Sequence, residues 1–330
     1  MQQKKMTYAE GILEAFEYLL TNHDNFFVIG QGLWSPWYVG DTMRDLDKKF
    51  GKERVIDCPV SELATTGATV GAAICGYRPL IVHPRVDFML LAVDQIVTQA
   101  AKWRHMFGGK SNCPATFRAI INRGGEQGAQ HSQSLQSWFA HIPGLRVVMP
   151  SSAIDARNLL ISSVLSDDPV MFIEDRWLYE NEENYSEIEI LDLNSIGPIK
   201  VKNGNDLTLV GAGYASNLNI EISQILEAKH GITSDIIDVR VLNPFRVDDI
   251  LDSVKKTGRL VAVDGDWSNC GFASEVITSV LERIEVNFLK SKPIRFTLPD
   301  SPAPTSSVLE QEYYLNSEKI SQKIYTAIKQ

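Results

Sequence analysis

The sequence predicts an α/β protein of two consecutive parallel-sheet domains, on three observations. Over the first 190 residues, short apolar runs alternate with helical patterns, as they do when helices cover a parallel sheet. The apolar runs are continuous rather than alternating, which marks strands buried on both faces. A length of 330 residues with 44% hydrophobic and 22% charged side chains is globular in composition but long for one core.

Taken in order, Tyr8 to Leu20 reads as a helix, and FFVIG (26–30) and RVIDC (54–58) as strands. Leu63 to Cys75 is a helix rich in small residues, followed by the strand RPLIV (78–82). Leu90 to Met106 then reads as one long amphipathic helix whose stripe, Phe88, Leu91, Gln95 and Thr98, is expected to be mostly core. TFRAII (116–121), LRVVMP (145–150) and VMFIE (170–174) are strands. The run YENEENYSEIE (179–189) is acidic and without periodicity, so it begins a linker over about 180–200 between domains at 1–190 and 200–330. Beyond it DLTLVGAG (206–213), SDIIDVRVL (234–242) and GRLVAVDG (258–265) read as strands, with helices at 216–229, 247–256 and 271–281. Pro299, Pro302 and Pro304 break the chain before a last helix near 317–328.

Lys+Arg 32 against Asp+Glu 41 gives a net charge of −9 with no basic stripe, which argues against nucleic acid. No apolar run approaches the length of a membrane span, and MQQKKMTYAE lacks the apolar centre of a signal peptide, so a cytoplasmic protein is expected. Cys58, Cys75, Cys113 and Cys270 are scattered without a CxxC pair, and read as reduced packing residues rather than a disulfide framework or zinc site.

Three stretches carry candidate chemistry. In DCPVSELATTGATVGAAICGYRP (57–79) a strand ends in a loop bearing Glu62 and a helix follows, with Gly67 and Gly71 allowing close approach by a backbone or a planar ligand. Glu62 sits where α/β sheets place ligands; the alternative is a first-turn glutamate complementing the helix dipole. In INRGGEQGAQHSQSLQSWFAHIPG (121–144), Gly124, Gly125 and Gly128 permit unusual backbone dihedrals before His131. A neutral imidazole there exchanges protons near neutral pH or serves as a structural hydrogen-bonding group. His141 reads as structural, within an apolar helix. In HPRVDFMLLAVDQIVTQAAKWRHMFGG (83–109), Arg85 and Asp87 precede the long helix, and Lys102, Arg104 and His105 match the dipole preference at its end. VDGDWSNCG (263–271) has the wrong order for a diphosphate–magnesium motif, and neither GxGxxG nor GxxxxGK[ST] occurs.

DCPVSE, GAAICGYRP, DFMLLAVDQI, AQHSQS, HIPGLRVVMPS and DDPVMFIED, with NPF at 243–245, together resemble the beta subunit of thiamine-diphosphate-dependent 2-oxoacid dehydrogenases, from about Thr7 to Ala327. The resemblance implies a pyrimidine-binding (thiamine diphosphate-binding) domain followed by a transketolase C-terminal domain. It implies an α2β2 heterotetramer that decarboxylates a small 2-oxoacid and passes the acyl group to a lipoyl or other acceptor, with a lipoyl acyltransferase core as a further partner. Matched by motif, Glu62 is the acid facing N1′ of the aminopyrimidine, Phe88 the aromatic beside that ring, and His131 the channel histidine of proton and acyl transfer. A potassium site is implied on backbone oxygens of Ala115, Ser163, Val164, Ser166 and Asp168. The absent diphosphate motif fits the family's division of labour, in which the alpha subunit holds the diphosphate and magnesium.

The chain departs from the family where Gly30 is followed by Gln31, in place of the usual acidic residue, and then by LWSPWYVG. The loop HPRVDF is more basic than the common form, and an arginine at 85 suits a carboxylate or phosphate, or pairs with Asp87. Two other readings remain: transketolase-like ketol transfer, and a non-catalytic assembly subunit.

Overall fold

The structure, a computed structural model, describes residues 4–35 and 39–329. Pro36, Trp37 and Tyr38 of the unusual loop, and the first three residues of the opening segment, lie outside the described residues. The chain forms two compact units, one of residues up to Asn122 with Trp138–Ile196 and Val241–Pro244, the other of Arg123–Ser137, Gly197–Arg240 and the chain from Phe245 on.

The elements begin with β1 (Lys5–Thr7) and α1 (Tyr8–Asn22). Thr7 caps α1 by accepting from the Glu10 amide at 3.1 Å, while the Glu10 carboxylate accepts from the Thr7 amide at 2.8 Å. There follow β2 (Phe26–Gly30), α2 (Leu46–Phe50), β3 (Val55–Asp57), α3 (Glu62–Ile74), β4 (Arg78–His83) and the short α4 (Val86–Met89). After α5 (Ala101–Met106) come β5 (Thr116–Ile121), α6 (Gln136–Ala140), β6 (Arg146–Val148), α7 (Ala153–Leu165), β7 (Val170–Asp175) and β8 (Glu182–Asn184). The later elements are β9 (Ile199–Lys202), β10 (Leu207–Gly211), α8 (Tyr214–His230), β11 (Ser234–Asp238), β12 (Val241–Asn243), α9 (Asp248–Thr257), β13 (Leu260–Trp267), α10 (Phe272–Leu281), β14 (Ile294–Leu298), α11 (Ser307–Tyr313) and α12 (Ser317–Lys329).

The first unit's sheet has the order β12-β6-β7-β5-β4-β2-β3, parallel except for its antiparallel edge β12. Every residue of β5 and β7 is buried, the polar Thr116, Arg118, Glu174 and Asp175 included. Parallel strands put their carboxyl ends on one edge, and there the chain places Gly30, Asp57 and His83 with the loops that follow them. The second unit's sheet runs β14-β13-β10-β11-β9, with β9 antiparallel, around a core of Leu209, Ile222, Leu226, Ile236, Val261 and Ile324.

Several expectations need correction. SDIIDVRVL is not one strand: β11 ends at Asp238, and after Val239 and Arg240 the chain joins the other sheet, Val241 pairing with Val148. Asn243 fixes the end of that crossing by donating to the carbonyls of Ala140 and Ile142 at 2.9 and 3.3 Å. The segment 90–106 is not one α-helix but a 3₁₀ turn (Leu90–Ala92), a π-helical stretch (Asp94–Ala100) and α5. Its buried row is Ala92, Ile96 and Ala100, so Phe88, Leu91 and Thr98 face outward rather than into the core. The acidic run near 179–189 is tied down: Glu182–Asn184 pairs with β1, the Tyr185 hydroxyl donates to Glu14, and Arg157 donates to the Glu187 carbonyl. Only Cys113 is buried, with burial pushing its thiol up to about 12, while Cys75 and Cys270 are exposed rather than packed. His141 lies in an exposed turn after α6 rather than within a helix. No helix among the described residues is long and apolar enough to cross a membrane.

Candidate functional site

Glu62 is the first residue of α3 and only 6% exposed. A carboxyl so placed needs a partner for its buried oxygen. Gln31 supplies it, the amide Nε2 donating to Glu62 Oε1 at 3.0 Å. The turn carrying Gln31 is held by the neighbouring strand: the Gly32 amide donates to Asp57 Oδ1 at 2.7 Å and Trp34 Nε1 to the Val55 carbonyl at 2.8 Å. Gly30 is obligatory here, because a Cβ would stand 2.8 Å from the Val82 carbonyl oxygen and 2.9 Å from the Val82 Cβ. One turn along α3, Thr66 Oγ1 lies 3.4 Å from Nε2 of His83, a fully buried imidazole that desolvation lowers to about 3. Burial therefore keeps the His83 ring neutral across the physiological range.

Phe88 belongs to α4, and the segment that follows it, Leu90 to Ala100, packs against α3. The structure thus joins Glu62 to Gln31 at the start of α3 and packs the segment after Phe88 against the same helix. Phe88 is 42% exposed and Leu91 65%, and a Cβ at Gly71 would meet nothing within 4 Å. A Cβ at Gly67 would come no closer than 3.5 Å, to Gln95. The described residues do not supply the crowded interface expected at these glycines.

His131 falls in the second unit, apart from the unit that carries Glu62 and Phe88. Its loop has the expected backbone, with φ of 65°, 66° and 72° at Gly124, Gly125 and Gly128, and a cleft of about 450 Å³ lined by Ala129, Gln130, Gln133, Trp267 and Asp300–Pro302 opens beside it. The loop is anchored at both ends. Arg123 donates to the Gly265 carbonyl at 2.8 Å and the Tyr314 hydroxyl receives the Gly124 amide at 3.1 Å. At the far end Gln136 donates to Asp264 at 3.0 Å and the Ser137 hydroxyl to Asp266 at 2.6 Å. The stretch VDGDW, discarded as a diphosphate motif, is therefore a buried acid pair that secures the histidine loop.

Burial first, and the neighbouring Asp264 carboxylate second, raise Asp266 to about 7. Unfolded, the same carboxyl titrates near ~3.9, so the folded chain holds the extra proton in between and this group's contribution to stability falls as pH rises from about 4 to about 7. In thermal unfolding from pH 4 to 8, Asp266→Asn is expected to remove that slope, its midpoint gaining on the parent as pH rises. Parallel curves would show that Asp266 does not titrate there.

The five residues of the implied potassium site are engaged by protein groups. Arg78 NH1 donates to the carbonyls of Val164 and Ser166 at 3.2 and 2.8 Å, and the Asp168 carboxylate takes Arg104 at 2.7 Å and Arg146 at 2.6 Å. The Ser163 carbonyl accepts from the Ser166 amide and that of Ala115 from the Val170 amide. A cleft of about 570 Å³ lies beside this network, lined by Arg104, His105, Arg146 and Asp168 and not by Glu62 or Phe88. Two roles escaped sequence reasoning: Gln31 as the partner of Glu62, and Arg78 as the holder of the Val164–Asp167 turn. The signal for Gln31 was present, since adjacent parallel strands that end in Gly30 and Asp57 set their following loops side by side.

Residues 4–182 match the family described as transketolase, pyrimidine binding domain, and residues 183–320 that described as transketolase, C-terminal domain. The beta subunit of acetoin:2,6-dichlorophenolindophenol oxidoreductase from Cupriavidus necator is 36% identical, with 96% of each chain covered. The mitochondrial pyruvate dehydrogenase E1 component subunit beta of Saccharomyces cerevisiae is 33% identical over 93% of this chain and 84% of that one. Among solved structures, a split gene transketolase described as an inactive beta4 tetramer superposes with a TM-score of 0.79 over 98% of each chain at 18% identity, a likeness of fold.

Proposed function

This chain belongs to the transketolase-type family of 2-oxoacid dehydrogenase beta subunits, and from that membership we propose that it is the half of a thiamine-diphosphate-dependent enzyme that supplies the acid facing the pyrimidine. The observation that carries the reading is Glu62: buried, with Oε1 held by Gln31 and Oε2 without a hydrogen-bond partner among the described residues. A carboxyl group with one oxygen fixed and the other open fits a nitrogen heterocycle that needs a single donor.

In this reading Glu62 holds a proton at the pyrimidine N1′, Phe88 offers its half-exposed ring as a flat apolar surface, and His131 moves a proton near the acyl acceptor. When bound, thiamine diphosphate supplies the electron sink that makes loss of carbon dioxide from a 2-oxoacid feasible. The diphosphate and its magnesium fall to an alpha subunit in an α2β2 assembly, and the acyl group passes to a lipoyl group on an acyltransferase core or to another acceptor. A potassium ion on the Ala115, Ser163, Val164, Ser166 and Asp168 oxygens would share two of its carbonyls with Arg78. The domain division at 1–190 and 200–330 goes with this assignment, catalysis belonging to the first part and assembly to the second.

Mixing the chain with its alpha subunit, thiamine diphosphate and magnesium is expected to release carbon dioxide from pyruvate or another short 2-oxoacid, while either subunit alone is inactive. Ketose cleavage without carbon dioxide would favour ketol transfer instead. An assembled complex that binds no thiamine diphosphate in calorimetry would leave only the assembly role.

A further inference from the structure

Glu62 has two oxygens, and its use as an acid depends on which of them carries the proton. A carboxylic acid accepts at its carbonyl oxygen and donates from its hydroxyl. Gln31 directs an N–H at Oε1 from 3.0 Å, and the turn that follows it is clamped to Asp57 and Val55 through Gly32 and Trp34. A proton on Oε1 would face that N–H head-on and lose the bond. We propose that Gln31 is a positioning residue that keeps Oε1 an acceptor and thereby assigns the acid proton of Glu62 to Oε2. The inference rests on the preceding reading of Glu62 as the pyrimidine-facing acid.

The amide matters because it does not titrate. A carboxylic acid at position 31 could donate to Oε1 only while protonated, and once ionised would repel the Glu62 carboxylate. Two carboxyls at hydrogen-bonding distance titrate as a pair with split values. Glutamine presents the same donor to Oε1 at every working pH.

The test uses the complex with the alpha subunit and two substitutions, Gln31→Met, which keeps the length and removes the donor, and Gln31→Glu. Thiamine diphosphate affinity, with magnesium present, is measured by calorimetry from pH 6 to 9, and kcat is followed over the same range. Gln31→Met is expected to weaken cofactor binding by about tenfold at all pH values, the loss of one net hydrogen bond, and to lower kcat at unchanged KM. Gln31→Glu is expected to add to the pH dependence of cofactor affinity an ionisation that the parent lacks. If both variants bind cofactor and turn over within about twofold of the parent with the parent's pH profile, the assignment is overturned. Glu62→Gln separates the two levels: if it also behaves as the parent, Glu62 is not the acid, whereas an impaired Glu62→Gln beside unaffected Gln31 variants refutes only the role of Gln31.

Discussion

In the assembled enzyme, Glu62→Ala is expected to lower kcat by about 10²–10⁴-fold, the range typical when a positioned proton-transfer group is removed. The substitution deletes a buried group without crowding its neighbours, since Glu62 is lost together with its single bond to Gln31. Assembly with the alpha subunit should persist, and KM for the 2-oxoacid should change little, because the carboxyl faces the cofactor in this reading rather than the substrate. Steady-state rates beside calorimetric cofactor affinity check it. A variant that keeps near-parental turnover would remove Glu62 from the mechanism.

The second large effect concerns stability. Arg118 and Glu174 pair at 2.5 Å with both side chains fully buried, on adjacent strands β5 and β7, and the same guanidinium donates to Thr42 at 2.9 Å and the Tyr179 hydroxyl at 3.4 Å. Arg118→Ala strands the Glu174 carboxylate in the core and is expected to cost about 3–5 kcal/mol in urea unfolding. That is a large part of the roughly 5–15 kcal/mol that holds a typical native state. The double variant Arg118→Met with Glu174→Leu should recover most of the loss, because no charge is then left unpaired. An Arg118→Ala chain as stable as the parent would mean that water reaches Glu174.

Strands rich in apolar residues were legible: TFRAII and FFVIG were delimited as the structure has them, although Arg118 interrupts the first and only alternate residues of the second are fully buried. The edge strands of the second sheet were not. IKVK in β9 and IRFTL in β14 are partly exposed and write no such signal. The row of Phe88, Leu91 and Thr98 misled because apolar periodicity reports a face to be covered and not what covers it; in this chain Ala92, Ile96 and Ala100 meet the core instead. At the candidate site, Glu62 stood out by its place at a strand's end, whereas the side chain that orients it lies 31 residues earlier. Sequence distance hides such pairs, and the parallel neighbours β2 and β3 bring them together.

The strand β12 ties the two parts of the chain together. The chain passes between its two units after residues 122, 137, 196, 240 and 244, and Val241–Asn243 supplies the outermost rung of a sheet otherwise built from the first half. A fragment ending at 196 would leave β6 with an uncovered row of backbone amides and carbonyls, an invitation to wrong pairing. Cutting the chain at that apparent border would deliver a first piece without its edge strand and a second piece carrying a strand with no sheet of its own.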